Sequence, residues 1–171
     1  MTFNNDTLII RPCLDADRPQ ADELTTLAFQ TIRHIYRPTP AAVALKCSRP
    51  HSPRLIAVES TSDGRQKILG SVEYELLSDQ LSLMALAVHP EFRRHGIARR
   101  LIQKLRPIAA AENIPRLTLW TITQTGNVTV FEHLGFQTLR ISPADLFESD
   151  LYDTLTEAFM ELSIQPERAP R

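Results

Sequence analysis

Leu86-Ala87-Val88-His89-Pro90-Glu91-Phe92-Arg93-Arg94-His95-Gly96-Ile97-Ala98 is where the character of the chain changes. The apolar stretch from Leu81 to Val88 reads as a strand that stops at a His-Pro turn. A loop follows in which Arg93, Arg94 and His95 crowd against a single glycine, Gly96. Ile97, Ala98, Leu101, Ile102, Leu105, Ile108 and Ala109 then give the strongest helical period in the sequence. A helix start leaves about four backbone N–H groups unpaired and carries about half a positive charge. A glycine just before it lets the backbone approach a bulky anion. Arg99 and Arg100 in the first turn oppose the helix dipole, and a bound polyanion would offset that cost. The unit therefore points to a phosphate or pyrophosphate site, with a solvated basic helix face as the plainer alternative. A P-loop is excluded because no Gly-Lys-Ser/Thr triplet occurs, and a dinucleotide fingerprint because the loop has one glycine.

Upstream, Leu8-Ile9-Ile10 closed by Arg11-Pro12 reads as a first strand. Leu24, Leu27, Ala28, Ile32 and Ile35 predict an amphipathic helix over residues 20–35, ended by Pro38 and Pro40, with a second short helix starting at Pro40. Leu55 to Val58, the alternating Ile68 to Leu77 and Leu81 to Val88, separated by turns at 62–64 and 78–80, predict a three-stranded antiparallel meander. In the alternating strand Gly70, Val72, Tyr74 and Leu76 share one face, and Ser71, Glu73 and Glu75 the other. Downstream, Pro107 is expected to kink or end the long helix near Leu105. Strands are expected at 117–120, 136–141 and 155–164, with a short helix opened by Gly126-Asn127 and capped by Gly135. Residues 142–153 read as acidic and irregular, and 165–171 as a disordered tail.

The bulk properties suit one domain spanning 1–171, with 43% hydrophobic and 23% charged residues. A net charge of -1 gives no global field toward nucleic acid or an anionic membrane, so neither is an expected partner. No apolar run approaches the roughly 18 residues a membrane helix needs. Cys13 and Cys47 cannot build a disulfide framework, and no metal-ligand spacing is present, so no metal is expected. Without a signal-peptide core at its start, the chain is expected to be cytoplasmic.

Residues 86–98 resemble motif A of the GNAT superfamily of acetyl-CoA-dependent N-acetyltransferases, Arg/Gln-x-x-Gly-x-Gly/Ala after a strand and a short His/Asp-Pro turn. Arg93, Gly96 and Ala98 stand at its three signature places. Phe131-Glu132-His133-Leu134-Gly135-Phe136 is similar to the family's Tyr-Glu-Lys-Leu-Gly-Phe block, and the order of elements agrees across almost the whole chain. The resemblance implies a mixed α/β (α+β) fold: a mostly antiparallel sheet of six to seven strands, about four flanking helices, and a splayed parallel pair at the cofactor cleft. It implies that Leu86, Ala87 and Val88 bind the pantetheine arm of acetyl-CoA like an added strand. It implies that the backbone of Arg93, Arg94, His95, Gly96, Ile97 and Ala98 binds the pyrophosphate. The acceptor is then a small-molecule or peptide amine, and a homodimer is one of the assemblies the family forms.

The chain departs from the family at Phe131, where many members carry the tyrosine that protonates the departing thiolate. Phenylalanine cannot donate a proton, and that motivates the alternative of a coenzyme A-binding or regulatory domain without catalysis. Asn127 stands closer to Phe131 than the family's asparagine stands to its tyrosine, so it is either a cofactor ligand or a helix cap. Deprotonating a lysine-like amine at pH 7 costs about 4.6 kcal/mol, so a carboxylate base is expected. Glu73 is the first candidate, from a strand that borders the acceptor cleft in the family. Tyr36 and His34, at the end of the first helix, are candidates to meet the substrate or to replace the missing proton donor. The acidic residues Asp145, Glu148, Asp150 and Asp153 could attract a cationic acceptor.

Overall fold

The computed structural model describes residues 7–48, 50–60 and 64–164. Its elements run β1 (Leu8–Pro12), α1 (Arg18–Gln30), β2 (Arg37–Pro38), α2 (Pro40–Cys47), β3 (Arg54–Ser60), β4 (Gln66–Leu76) and β5 (Leu81–Val88). They continue α3 (Ile97–Ala111), β6 (Arg116–Ile122), α4 (Asn127–His133), β7 (Gln137–Pro143), β8 (Phe147–Glu148) and β9 (Thr156–Ser163). Seven strands form one sheet in the order β1-β3-β4-β5-β6-β9-β7, and β2 pairs with β8 apart from it. Every pairing in the large sheet is antiparallel except that of β5 with β6. The expected mixed sheet, its meander and its one parallel pair are all present.

Each face of the sheet is covered by a helix with a matching apolar stripe. Ile97, Leu101, Leu105 and Ala109 of α3 pack into one core with Leu69, Leu117, Leu119 and Met160. Ala21 and Leu24 of α1 pack on the other face against Ile56, Val58 and Ile68. Covered on both faces, the central strands are buried in runs and lose the expected alternation. Ser71, assigned by pattern to a polar face, is 1% exposed, and its hydroxyl lies 3.3 Å from that of Thr25 in α1.

Gly70 fixes how closely α3 approaches the sheet. A methyl at that position would lie 2.7 Å from Ile97 Cγ2, 3.2 Å from Leu101 Cδ1 and 3.3 Å from the Ala87 carbonyl. Ile97 opens α3 and is β-branched, so its side chain has little freedom to yield. The start of α3 is therefore held against β4 and β5.

Three expectations need correction. The first helix ends at Gln30, and residues 31–35 are turns. Thr31 Oγ1 bonds back to the Ala28 carbonyl at 2.7 Å, a local bond that competes with helix continuation. The long helix passes through Pro107 to Ala111. A proline removes one helical hydrogen bond, but Leu105 and Ala109 on either side are anchored at 0% exposure. Just beyond its end Asn113 turns into the left-handed region with φ 57°, and the Ile114 amide bonds back to the Ala109 carbonyl at 2.9 Å. The stretch 142–153 is not wholly irregular, because Phe147 and Glu148 pair with Pro38 and Arg37. The expected tail at 165–171, and Ser62 and Asp63 of the expected turn, lie outside the described residues.

Gly70→Ala is expected to destabilise the fold by about 1–3 kcal/mol through overpacking. Urea unfolding monitored by circular dichroism checks this; an unchanged midpoint would show that α3 can shift freely.

Candidate active site

The cleft begins where the sheet opens. β5 and β6 pair only at Leu81–Leu117 and Ser82–Thr118, and beyond those positions no pairing joins them. Each strand keeps its other neighbour, β4 for β5 and β9 for β6, so the gap lies inside an otherwise continuous sheet. On its β4 side β5 carries a bulge: Ser71 faces Ala87 while Glu73 faces Met84, so Ala85 and Leu86 together oppose Val72. Ala85 sits at φ 48°, an uncommon conformation for a residue with a side chain. Bulges re-aim backbone and side chains and concentrate next to active sites. Here the bulge brings residues 85–88 to the wall of a cavity of about 940 Å³.

The basic loop forms the floor. Arg94 at φ 67° and Gly96 at φ 76° curl the chain into the start of α3, and the Arg100 amide closes the first helical bond onto the Gly96 carbonyl at 3.0 Å. Gly96, Ile97, Ala98 and Arg99 line the cavity, so the open end of the helix faces it. Apart from its two neighbours in the chain, no described residue comes within 4 Å of a Cβ added at Gly96, which leaves that position open to a ligand.

Most of the arginines there are structural ties. Arg93 donates to the Ala28 carbonyl at 3.3 Å and to Thr31 Oγ1 at 3.0 Å, fastening the loop to the end of α1. Arg99 donates to the His133 carbonyl at 3.2 Å, at the C-terminus of α4 where a cation is favoured. Arg100 donates to the Leu8 carbonyl at 2.7 Å. These bonds offset the repulsion from the helix dipole that was expected to need a polyanion. Arg94 is exposed and lines the cavity.

α4 makes the opposite wall. Its cap is Gly126 at φ 77°, which places Asn127 in the first turn and not at the cap. Gly135 ends it as expected: its amide bonds to the Glu132 carbonyl at 2.9 Å and that of Phe136 to the Phe131 carbonyl at 3.0 Å. The Phe131 and Phe136 rings meet edge to face at 5.8 Å across this turn. Asn127 and Phe131 both line the cavity.

At its far end the cavity is walled by aromatic groups. Tyr36 packs edge to face on Phe147 at 5.3 Å, with Ile122, Ala144 and Leu155 behind them. Phe29, Trp120 and Glu157 complete that end. A clasp holds it together: Arg37 donates to Glu148 at 2.8 Å and to Asp150 at 2.6 Å, and the Thr39 amide bonds to the Leu146 carbonyl at 3.0 Å. Ser149 Oγ donates to the Ile35 carbonyl at 2.5 Å. Glu148 and Asp150 are thereby engaged by Arg37 and are not left to attract an acceptor. The Arg37 guanidinium holds the Asp150 carboxyl below the usual aspartate value.

Of the residues expected at the site, Tyr36, Leu86, Ala87, Val88, Arg93, Arg94, Gly96, Ile97, Ala98, Asn127 and Phe131 line this one cavity. His95 does not; its Nδ1 lies 2.8 Å from the Arg93 carbonyl. Glu73 does not either, because its carboxylate is paired with Arg54, which also holds Asp22 at 2.7 Å. A strand carboxylate engaged by a buried arginine is a structural group, and the expectation of Glu73 as base is set aside. His34 is exposed and outside the cavity. Sequence reasoning missed Phe29, Ala85, Phe147 and Glu157. Glu157 left one signal, a carboxylate early in a strand of alternating apolar residues; the others left none.

Burial pushes the Tyr36 phenol above its ordinary value, with Arg33 acting weakly the other way, so it is a protonated hydroxyl at neutral pH. Burial also raises the Glu157 carboxyl, aided by the negative charge of Asp145 and opposed by Arg140.

The family model described as the acetyltransferase (GNAT) family matches residues 19–136. Among solved structures, the ribosomal-protein-S18-alanine N-acetyltransferase of Escherichia coli is 18% identical, with a TM-score of 0.65 over 96% of this chain and 99% of that one. A GCN5-related N-acetyltransferase from Kribbella flavida is 21% identical, with a TM-score of 0.66 over 94% and 99%. An aminoglycoside 6'-N-acetyltransferase complexed with coenzyme A is 17% identical, with a TM-score of 0.62 over 94% and 99%. At these identities the likeness is one of fold. No curated protein matches the sequence.

Arg37→Ala is expected to open the clasp while the main sheet stays intact. Hydrogen exchange should then quicken at the Thr39 and Phe147 amides and remain slow in β3 and β4; equal rates in both proteins would assign the clasp to packing alone.

Proposed function

Because this chain belongs to the acetyltransferase (GNAT) family, we propose that it transfers an acetyl group from acetyl-CoA to a primary amine by direct attack. The observation that carries the reading is the parted pair of strands. The backbone of residues 85–88, freed from β6, faces a cavity that also meets the N-terminus of α3. In this reading Leu86, Ala87 and Val88 hold the pantetheine arm as an added strand. Amides between Arg93 and Ala98 take the pyrophosphate, with Arg94 as the adjacent cation. Asn127 and Phe131 face the arm from the α4 side. The similar fold of an aminoglycoside acetyltransferase complexed with coenzyme A supports acetyl-CoA as the co-substrate.

The amine nitrogen attacks the thioester carbonyl carbon, the carbon–nitrogen bond forms and the carbon–sulfur bond breaks. Positioning the two reactants supplies much of the acceleration. A backbone N–H near Val88 polarises the thioester oxygen. The departing sulfur takes a proton, and Tyr36 supplies it in place of the tyrosine that many family members carry where Phe131 stands: a phenol kept protonated by burial, at the far end of the cavity. That assignment removes the motive for a domain without catalysis.

Calorimetry with acetyl-CoA, ATP and pyrophosphate tests the site. Acetyl-CoA should bind at least about tenfold more tightly than the other two, a difference of about 1.4 kcal/mol. Gly96→Asp should weaken acetyl-CoA by a further tenfold or so, by placing a carboxylate against phosphate, while Gly96→Asn, which tolerates the same backbone, should not. Equal loss in both variants would reduce Gly96 to a conformational role, and no loss in either would remove the pyrophosphate from this loop.

Tyr36→Phe should lower kcat roughly tenfold and leave the acetyl-CoA Kd unchanged. The loss is smaller than the ~100-fold of a full general acid because a thiol with a pKa near ~8.5 leaves tolerably unaided. Thiol release against an amine panel reads both quantities, and an unaltered kcat would return the proton to solvent.

A further inference from the structure

Among the described residues, four charged side chains line the cavity: Arg93, Arg94, Arg99 and Glu157. The three arginines belong to the loop and the start of α3; Glu157 stands at the far end, on β9, beside Ile122 of β6 and Ser142 of β7. Its strand partner Ile122 packs in one cluster with Tyr36 and Phe147. Phe29, Tyr36, Trp120 and Phe147 all line the cavity. Trp120 is braced by Phe159 at 4.8 Å and is crossed by the Arg140 guanidinium at 5.2 Å. Ile32 and Ile122 fill the remaining surface.

Resting on the acetyl-transfer reading above, we propose that Glu157 pairs with the acceptor ammonium and takes its proton, and that the acceptor is a monoamine carried on a flat apolar body. A single carboxylate in the cleft can neutralise a single ammonium. A second ammonium, as on a polyamine or an aminoglycoside, would find no second carboxylate among the described lining residues and would meet the arginines of the loop as it extended toward them. Glu148 and Asp150 are held by Arg37, and Asp145 is exposed and outside the cavity lining. Rings around a carboxylate favour a ligand whose charge is local and whose remaining surface is apolar, with the cation also attracted to the ring faces.

Proton and bond counts close. The bound ammonium gives one proton to the Glu157 carboxylate, which returns it to solvent. The neutral amine attacks the carbonyl carbon as the carbon–sulfur bond breaks. Tyr36 gives its proton to the sulfur, and the second nitrogen proton, lost as the amide forms, restores that of the phenol by way of water. The charged groups that act on Glu157 are Asp145, just after β7, and Arg140 on β7; Arg33 acts on Tyr36, in the turn after α1. Desolvation and Asp145 lift the Glu157 carboxyl above the ordinary glutamate value, against Arg140. The acidic limb of kcat/KM should therefore lie above the usual glutamate range, with activity lost as pH falls through it.

The test compares 2-phenylethylamine with spermidine at saturating acetyl-CoA, in the full chain and in Glu157→Gln and Glu157→Asp. The expected result is at least a tenfold higher kcat/KM for 2-phenylethylamine. In Glu157→Gln kcat/KM falls about 100-fold and the acidic limb disappears, with an unchanged acetyl-CoA Kd, while Glu157→Asp recovers part of the rate. Preference for spermidine overturns the acceptor class, and a Gln variant with wild-type rate and pH profile overturns the role of Glu157. Tight acetyl-CoA binding with no acetylated 2-phenylethylamine also overturns this inference and leaves the co-substrate site standing. Absence of acetyl-CoA binding removes both readings together.

Discussion

A sheet is held by its ladder of backbone hydrogen bonds, and the ladder between β5 and β6 stops after Ser82 and Thr118. Each unpaired N–H and C=O beyond that point needs a partner, because a buried backbone group left alone costs about 1–3 kcal/mol. The fold tolerates the break because β5 remains paired with β4 and β6 with β9. Both strands are thus fixed from outside while the gap between them stays open to water or to an extended ligand. The bulge at Ala85 and Leu86 adds a local change of direction, and Gly70 lets Ile97 seat the start of α3 against the same strands. Gap, bulge and helix start meet at one cavity because these backbone features adjoin one another.

The arginines show how a charge cluster read as a ligand site can also have a structural cause. Clustered cations at a helix start suggested an anion to offset them. In the structure Arg93 is fastened to α1, Arg99 to the end of α4 and Arg100 to β1. Each guanidinium reaches backbone carbonyls of another element, so the cluster builds the cleft before it meets any ligand. In the proposed reading ligand binding falls mainly to backbone N–H groups and to Arg94, and sequence alone gives no means of dividing those roles.

Local patterns carried most of the fold. The apolar period of α3, the glycines at 96, 126 and 135, and the run from Ile68 to Val88 each described a segment whose neighbours in sequence decide its shape. The failures were tertiary. Helix α1 stops early because Thr31 bonds back to Ala28 while Arg93, from 62 positions away, reaches both residues. The β2–β8 pair joins segments 111 positions apart at Arg37 and Glu148, and two-residue strands leave no period to detect. Glu73 and Glu157 look alike in sequence, as strand carboxylates among apolar residues. Only the fold shows Arg54 against the first and aromatic rings around the second.

The two ends of the cavity then differ in a way that bears on catalysis. The loop end carries arginines and a helix dipole, both favourable to phosphate. The far end carries one carboxylate among rings, favourable to one ammonium. An amine entering at the loop end would meet like charge, and a diphosphate entering at the far end would meet Glu157. In the proposed reading, electrostatics would sort the two substrates by orientation before any specific contact forms. Between the ends the wall is β5, whose bulged residues 85–88 lie where a thioester held from one side and an amine held from the other would come together. The broken ladder that admits one substrate also sets where it meets the second.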